Sequence, residues 1–382
     1  MSVSRRAFVR NLGIGSAGTL ALPAWLNARG LEGGTFAADT PTAAPRFDNA
    51  VIKLDSNENP NGPVPAAIRA IEASFRRGSL YPDRFEQPVA DAVAAQVGLS
   101  ADQVMLGCGS SEILRLAVQA FCSPTRHLVT ALPTFESPAE YARLLGFPVR
   151  EVGLTGSLAL DLDAMLAQVK GAGFVFVCNP NNPTGHVHGA VAVRNFIDAA
   201  LNADPEVIVM VDEAYHEFVD DPAYATSIPL VKTHPRVVVS RTFSKIYGMA
   251  GMRLGYALGA PATLARMDRL RLPSAIGGLT LAAGVAAIGD PAQLKKEQEA
   301  NRASRAFTMK WFADAGYEMV PSQSNFLLIH IKRDPRVFKV ACAAQGVLVG
   351  RVFPRLPEHA RVSIGTMDEM HRATEIFKRV LA

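Results

Sequence analysis

Past residue 100 the chain alternates short apolar runs with longer stretches of helical period. Val104–Leu106 leads into a Gly/Ser turn, and Glu112 to Phe121 repeats apolar positions at helical spacing. Leu128–Ala131 runs out before Pro133, and Ser137–Leu145 again reads as helix. Phe174–Cys178, Val207–Asp212 and Val237–Ser240 are apolar or β-branched runs of strand length, each closed by polar, Gly or Pro residues. Runs that are apolar at every position suit strands buried on both faces, so the pattern predicts an α/β fold: a mostly parallel sheet with helices on both sides and functional groups at strand ends. From Leu281 the pattern turns helical through Ala303–Phe312. Short strands follow at Phe326–Ile331, Val347–Val349 and Arg361–Ile364, then a last helix. That is an α+β pattern suited to a smaller second domain. The expected division is a segment 41–75 joining the small domain, a large domain 76–280 and a C-terminal small domain 281–382.

The first residues break the pattern. Ser4-Arg5-Arg6-Ala7-Phe8-Val9-Arg10 precedes a Gly/Ala-rich apolar run from Leu12 to Leu26 and a small-residue zone ending near Ala38. The run is too short and too rich in glycine to span a membrane, so the protein is not expected to be membrane-integral. In order and composition the segment resembles a twin-arginine export signal. It implies a passage through the twin-arginine translocase and a periplasmic or otherwise exported protein, and residues 1–40 are set aside as signal and linker. The chain carries +4 overall. Arg5, Arg6, Arg10 and Arg29 against Glu32 supply three of those charges, leaving about +1. No clustered positive excess remains, so nucleic acid is not an expected partner. The four cysteines are scattered through apolar contexts without Cys-x-x-Cys spacing. Even in an exported protein they read as buried free thiols, because the twin-arginine route carries proteins folded in the cytoplasm.

Four strand-end motifs carry candidate chemistry. Gly107-Cys108-Gly109-Ser110-Ser111-Glu112 lies between a strand and a helix, where unpaired N–H groups and the helix dipole favour an anion such as phosphate. Ser110 or Ser111 serves equally well as a plain helix cap. Asn179-Pro180-Asn181-Asn182-Pro183-Thr184-Gly185 makes a rigid irregular loop in which Asn182 offers an amide to a phenolate-like oxygen. Val209-Met210-Val211-Asp212-Glu213-Ala214-Tyr215 ends an apolar strand in a carboxylate. A buried Asp212 needs a cation, and a protonated pyridine nitrogen is one; a helix cap or structural ion pair is the plainer alternative. Lys245 sits in Ser240-Arg241-Thr242-Phe243-Ser244-Lys245-Ile246-Tyr247-Gly248, among hydroxyls and small residues that bury an amine and lower its pKa. Schiff-base chemistry needs such an amine. Arg253 completes a phosphate clamp, and Phe135 suits stacking on a ring or ordinary core packing.

In this order and spacing the motifs resemble those of fold-type I pyridoxal-phosphate-dependent aminotransferases of class I/II. Leu54-Asp55-Ser56-Asn57-Glu58-Asn59-Pro60 with Gly62, Tyr81-Pro82, and Arg361-Val362-Ser363-Ile364-Gly365-Thr366 resemble the histidinol-phosphate aminotransferase branch, over roughly residues 50 to 380. The resemblance implies pyridoxal 5'-phosphate as cofactor, with Lys245 as its covalent anchor and the proton carrier. It implies Asp212 at the pyridine nitrogen, Asn182 and Tyr215 at the ring oxygen and Phe135 over the ring. Gly109, Ser110, Ser111, Thr242 and Arg253 then surround the phosphate, with Ser244 a helper. Tyr81 reaches the cofactor of a second subunit, implying a homodimer with shared sites. Arg361 holds the substrate carboxylate, with Asn325 and Arg351 as further substrate contacts.

The implied reaction moves an amino group between an L-amino acid and a 2-oxo acid. The family's histidinol-phosphate members carry a tyrosine shortly before Asn-Glu-Asn-Pro, and Thr35 to Lys53 contains none. Gly350-Arg351-Val352-Phe353-Pro354 departs from the pattern that supplies a second arginine, so an aromatic or basic donor is the alternative expectation. Decarboxylase or C–S lyase chemistry on the same scaffold, and a non-enzymatic cofactor sensor or carrier, stay open. No metal is expected: His186-Val187-His188 and Tyr215-His216-Glu217 lack a helical histidine pair with a third ligand.

Overall fold

The strand Ile52–Leu54 (β1) opens the region described by the computed structural model, which covers residues 51–382. The twin-arginine-like segment lies outside those residues. Seven strands build the main sheet. In spatial order they are β2 (Val104–Gly107), β8 (Gly255–Gly259), β7 (Val237–Thr242), β6 (Ile208–Asp212), β5 (Ala172–Cys178), β3 (His127–Leu132) and β4 (Val149–Gly153). Every pairing is parallel except those of β8, which runs antiparallel to both β7 and β2.

Strand alternation sorts the core onto two faces. Val175, Val177, Val209, Val211, Val237 and Val239 pack one way with the helices Ala190–Ala203 and Gly278–Ile288. Phe174, Phe176, Ile208, Met210 and Val238 face the other, against the helix Ser110–Phe121. With both faces covered, β5, β6 and β7 are buried along their whole length. The apolar runs of β5, β6 and the first half of β7 follow from that. Burying one Phe or Val side chain contributes roughly 1.5–3 kcal/mol, so charged residues inside these strands need local partners.

Two smaller sheets complete the fold. β9 (Glu318–Met319), β10 (Phe326–His330) and β12 (His359–Ser363) pair antiparallel, while β1 pairs parallel with β11 (Val347–Val349). They share a third core with the helices Pro291–Asp314, Pro335–Ala343 and Met367–Leu381. The last helix begins in a reciprocal capping box between Thr366 and Glu369. Through the β1–β11 pair, the segment after residue 51 is tied to the C-terminal layer. The described residues, 51–382, belong to one compact unit. All four cysteines are free; Cys122, Cys178 and Cys342 are buried and Cys108 is half-buried.

Candidate active site

β2, β5, β6 and β7 run in one direction, so their C-terminal ends meet at one edge of the sheet, where open α/β folds bind ligands. A cavity of ≈ 700 Å³ opens there. Ser110, Ser111, Phe135, Asn182, Asp212, Tyr215, Thr242, Ser244, Lys245, Arg253, Arg351 and Arg361 all line it. Residues from five separate strand ends and from the C-terminal layer are thereby brought together.

Asp212 ends β6 with its side chain buried. Its Oδ1 accepts from Ser240 Oγ at 2.7 Å, across the register pair Asp212↔Ser240. Burial pushes its carboxyl up to about 6; the Ser240 bond lowers it, Glu213 raises it and Lys245 lowers it. No arginine or lysine forms an ion pair with it among the described residues. It is an anion awaiting a cation. Glu213, the next residue, faces away and forms the buried ion pair with Arg241 at 2.8 Å.

Lys245 Nζ donates to the carbonyls of Asn57 at 3.1 Å and Ser56 at 3.4 Å, and lies 5.6 Å from the Tyr215 ring centroid. Burial lowers its pKa to about 8, helped by the Arg361 and Arg253 charges and opposed by Glu58 and Asp212. About half of such an amine is neutral at pH 8, which suits a base or nucleophile. Tyr215 is buried, accepts from Asn57 Nδ2 at 3.2 Å, and packs edge-on to Phe326. Burial raises its hydroxyl pKa, so the phenol keeps its proton.

The helix Ser110–Phe121 begins after Gly109 with no side-chain cap, leaving N–H groups for an anion. Gly109 has φ +77°, and a Cβ there would collide with Arg253 Nη2. The glycine is what lets the guanidinium reach the turn. Arg253 is itself left-handed at φ +58° and donates to Ala250 O at 2.8 Å and Ser244 Oγ at 3.4 Å. A cationic guanidinium over a helix N-terminus, with the Ser110, Ser111, Thr242 and Ser244 hydroxyls nearby, is a phosphate site in chemical type.

In the loop after β5, the asparagines divide the work. Asn179 brackets His188, Asn181 binds Thr134 and Thr184, and Asn182 alone of the three faces the cavity. Asn182 Oδ1 accepts from Arg361 Nη1 at 2.9 Å, which leaves its NH₂ as a donor. Arg361 is buried, donates through Nη2 to Asp55 O at 2.8 Å, and has no partner at Nε. Its Cζ lies 5.6 Å from the Phe326 ring and 5.5 Å from Phe353. Each Nη keeps a second N–H beyond these two bonds, so a guanidinium lining the cavity is a carboxylate receptor in chemical type.

Three expected site residues lie apart from the cavity lining. Gly109 acts through the room it leaves. Asn325, expected to contact substrate, instead donates to the carbonyls of Asn57 and Glu58 at 3.0 and 3.3 Å and lines a separate ≈ 170 Å³ cavity. Its amide supports the loop carrying Asn57. Tyr81 is 83% exposed and points at no group of its own site. Arg351 lines the cavity mouth but is paired with Glu136 and stacks 4.3 Å from Phe353. Sequence reasoning assigns no role to Asn57, Ser240 or Glu136. Asn57 lies inside a recognisable motif, whereas the partnership of Ser240 with Asp212 exists only through strand register.

These residues fit pyridoxal phosphate: a buried carboxylate without an ion-pair partner, an amine of lowered pKa, a phosphate-type turn and a guanidinium share one cavity. The fold and site define a fold-type I pyridoxal-phosphate-dependent enzyme. A model of the family "Aminotransferase class I and II" matches residues 49–377, and the chain belongs to that family. The histidinol-phosphate aminotransferase of Symbiobacterium thermophilum is 38% identical over 334 residues, covering 87% of this chain and 91% of that protein. That of Moorella thermoacetica is 36% identical, covering 87% and 86%. The crystal structure of the histidinol-phosphate aminotransferase of Sinorhizobium meliloti, in complex with pyridoxal-5'-phosphate, superposes with a TM-score of 0.80 at 27% identity, covering 87% of this chain and 91% of that one. The chain is a pyridoxal-phosphate-dependent aminotransferase.

Proposed function

We propose that this enzyme moves an amino group between an L-amino acid with an aromatic or basic side chain and a 2-oxo acid. The observation that carries the carboxylate-bearing substrate is Arg361, a buried guanidinium that lines the cavity and whose charge helps to lower the Lys245 pKa. The preference against a phosphate ester rests on Arg351, whose charge at the mouth is already matched by Glu136. A phosphate dianion would meet that carboxylate as well as the arginine. The relatives' names favour the second reading, histidinol phosphate as donor.

The roles follow from the residues. Bound in the cavity, pyridoxal phosphate supplies a ring that accepts the electron pair left when a bond at the donor's Cα breaks. Lys245 anchors the cofactor and, released from it, takes the proton from the donor's Cα. Asp212 holds a proton at the ring nitrogen, with Ser240 keeping the carboxylate ionised and oriented. Tyr215 and the Asn182 amide donate to the ring oxygen, and Phe135 covers the ring. Ser110, Ser111, Thr242, Ser244 and Arg253 hold the phosphate. Arg361 grips the substrate carboxylate, fixing which Cα bond faces the lysine.

We further propose a homodimer with shared sites, a small domain over residues 281–382 joined by the segment 41–75, and export to the periplasm by the twin-arginine translocase. Exposed Phe75, Leu80, Tyr81 and Leu272 support the first, since such apolar side chains suit burial against a second copy. Arg5-Arg6 and the apolar run after it support export. Among the described residues no helix is long and apolar enough to cross a membrane.

The test mixes purified holoenzyme with single donors and follows the cofactor's visible absorbance through the first half-reaction. Conversion by L-phenylalanine, L-tyrosine, L-lysine or L-arginine, faster than by L-histidinol phosphate, is expected. Conversion by the phosphate ester alone would replace this reading with the second. Turnover releasing carbon dioxide or a thiol, without that conversion, would point to a decarboxylase or lyase.

A further inference from the structure

Asn57 occupies an unusual position for a residue outside the expected site. It is left-handed at φ +54° and only 2% exposed. Asparagine tolerates that backbone region better than most residues, and both heteroatoms of its amide are hydrogen-bonded here. The Asn57 N–H donates to Ser363 Oγ at 2.9 Å, and Ser363 Oγ in turn donates to Asn57 Oδ1 at 2.9 Å. The serine hydrogen has one place to go, which fixes the amide's orientation. Its NH₂ therefore points the other way, where Nδ2 donates to Tyr215 OH at 3.2 Å. The Asn57 carbonyl receives Lys245 Nζ at 3.1 Å.

A phenol oxygen that accepts from an amide keeps its own hydrogen for another acceptor. Among the described residues no side chain or carbonyl takes the Tyr215 proton, and Tyr215 lines the main cavity. We propose that Asn57, locked by Ser363, is a positioning residue that holds Tyr215 as a hydrogen-bond donor toward the cofactor's ring oxygen. This deepens the reading of Tyr215 given above and rests on it. The device explains why the Asn57 turn is tied to β12 by two bonds to one serine rather than by the backbone alone. It also places a donor-direction switch on the segment that follows β1, outside the large sheet.

The consequence is spectroscopic. Donation by Tyr215 stabilises negative charge on the ring oxygen. Loss of that donation would disfavour the deprotonated ring oxygen, so the pH midpoint of the holoenzyme's visible absorbance change would rise. Asn57→Asp puts an acceptor where the NH₂ stood and turns the phenol hydrogen away from the cavity.

The experiment titrates the visible band of full-length holoenzyme for wild type, Asn57→Asp, Ser363→Ala, Tyr215→Phe and the double variant Asn57→Asp/Tyr215→Phe, with cofactor dissociation constants measured in parallel. Asn57→Asp and Tyr215→Phe should each raise the midpoint by about one pH unit or more. Ser363→Ala should shift it the same way by less, and it serves if Asn57→Asp does not fold. In the Tyr215→Phe background the Asn57→Asp shift should fall by at least half. Midpoints unchanged in both Asn57→Asp and Ser363→Ala, with Tyr215→Phe shifted, would overturn the role of Asn57 alone. A full Asn57→Asp shift persisting without the Tyr215 hydroxyl would reduce it to added charge. A wild-type midpoint in Tyr215→Phe would overturn the underlying reading of Tyr215 and the proposal with it.

Discussion

Arg361 donates through Nη1 to Asn182 Oδ1 at 2.9 Å, so the proposed carboxylate receptor and the proposed ring contact are one hydrogen-bonded unit. A substrate that pulls on the guanidinium also pulls on the amide. Arg361→Lys keeps the charge and loses the planar fork. It should lower kcat/KM for carboxylate-bearing donors by about 100-fold, chiefly through KM, because a bidentate charged contact is worth about 1.5–3 kcal/mol. Primary amines lacking a carboxylate should react at their wild-type rates, however slow. Equal losses for both donor types would remove Arg361 from substrate binding.

Asp212 makes the cofactor-free protein less stable than it could be. Burial raises its pKa to about 6 from 3.8, so the folded state binds the proton more tightly than the unfolded chain. Its contribution is therefore fully present below about pH 4 and is lost as pH rises through about 6. A rise of that size costs the folded protein on the order of 3 kcal/mol once the carboxyl is ionised. Asp212→Asn removes the titration and can still accept from Ser240. In thermal melts of the apo-protein it should unfold a few degrees higher than wild type at pH 7.5, with the gap closing near pH 4. Added cofactor should stabilise the wild type more than the variant. A variant no more stable than wild type at pH 7.5 would show that Lys245 already compensates the charge.

Gly109→Ala probes the phosphate turn. The new methyl would collide with Arg253 Nη2, and the backbone there is left-handed at φ +77°. Either strain moves the turn or Arg253 withdraws. Loss of one charged contact should raise the dissociation constant for pyridoxal phosphate about 10- to 100-fold, read by fluorescence titration. The same substitution at Gly156, which meets nothing within 4 Å, should leave that constant unchanged. Equal effects at both glycines would show a general backbone cost rather than a phosphate contact.

The parts legible from sequence are those where burial writes itself into composition. β5, β6 and β7 are buried on both faces, so β5, β6 and the first half of β7 read as apolar runs, and the polar residue that follows or ends each run marks the site edge. The expected strands at Val104, Leu128, Phe326 and Val347 are present as β2, β3, β10 and β11. β4 escapes such a reading because it lies at the sheet's edge, half exposed, with Arg150 and Glu151 inside it. β8 escapes it because Gly255 and Gly259 bound the strand, although a Cβ at Gly255 would collide with Ser110 N. Glycine there signals close approach rather than a loop. Ser240 carries no local signal of its role, and the motif around Asn57 does not show what its side chain binds. One acts through strand register, the other through a contact 158 residues away.

Glu136 and Arg351 meet at the cavity mouth, one from the loop before the helix Ser137–Leu144 and the other from the loop after β11. The pair is partly exposed, so its own contribution to stability is small, about 0.2–1 kcal/mol. Its effect on an incoming side chain is larger. A carboxylate about 6 Å from a second anion, at an effective dielectric of about 40, costs about 1.4 kcal/mol. Glu136→Gln removes that repulsion and frees the Arg351 charge, while the fold at this surface should be unaffected. The ratio of kcat/KM for L-glutamate over that for L-phenylalanine should therefore rise about tenfold. Arg351→Gln should move the ratio the other way, and the double variant should return it toward wild type. A ratio unmoved by either substitution would place the side-chain specificity elsewhere, in the walls near Glu140 and Lys339 that line the same opening.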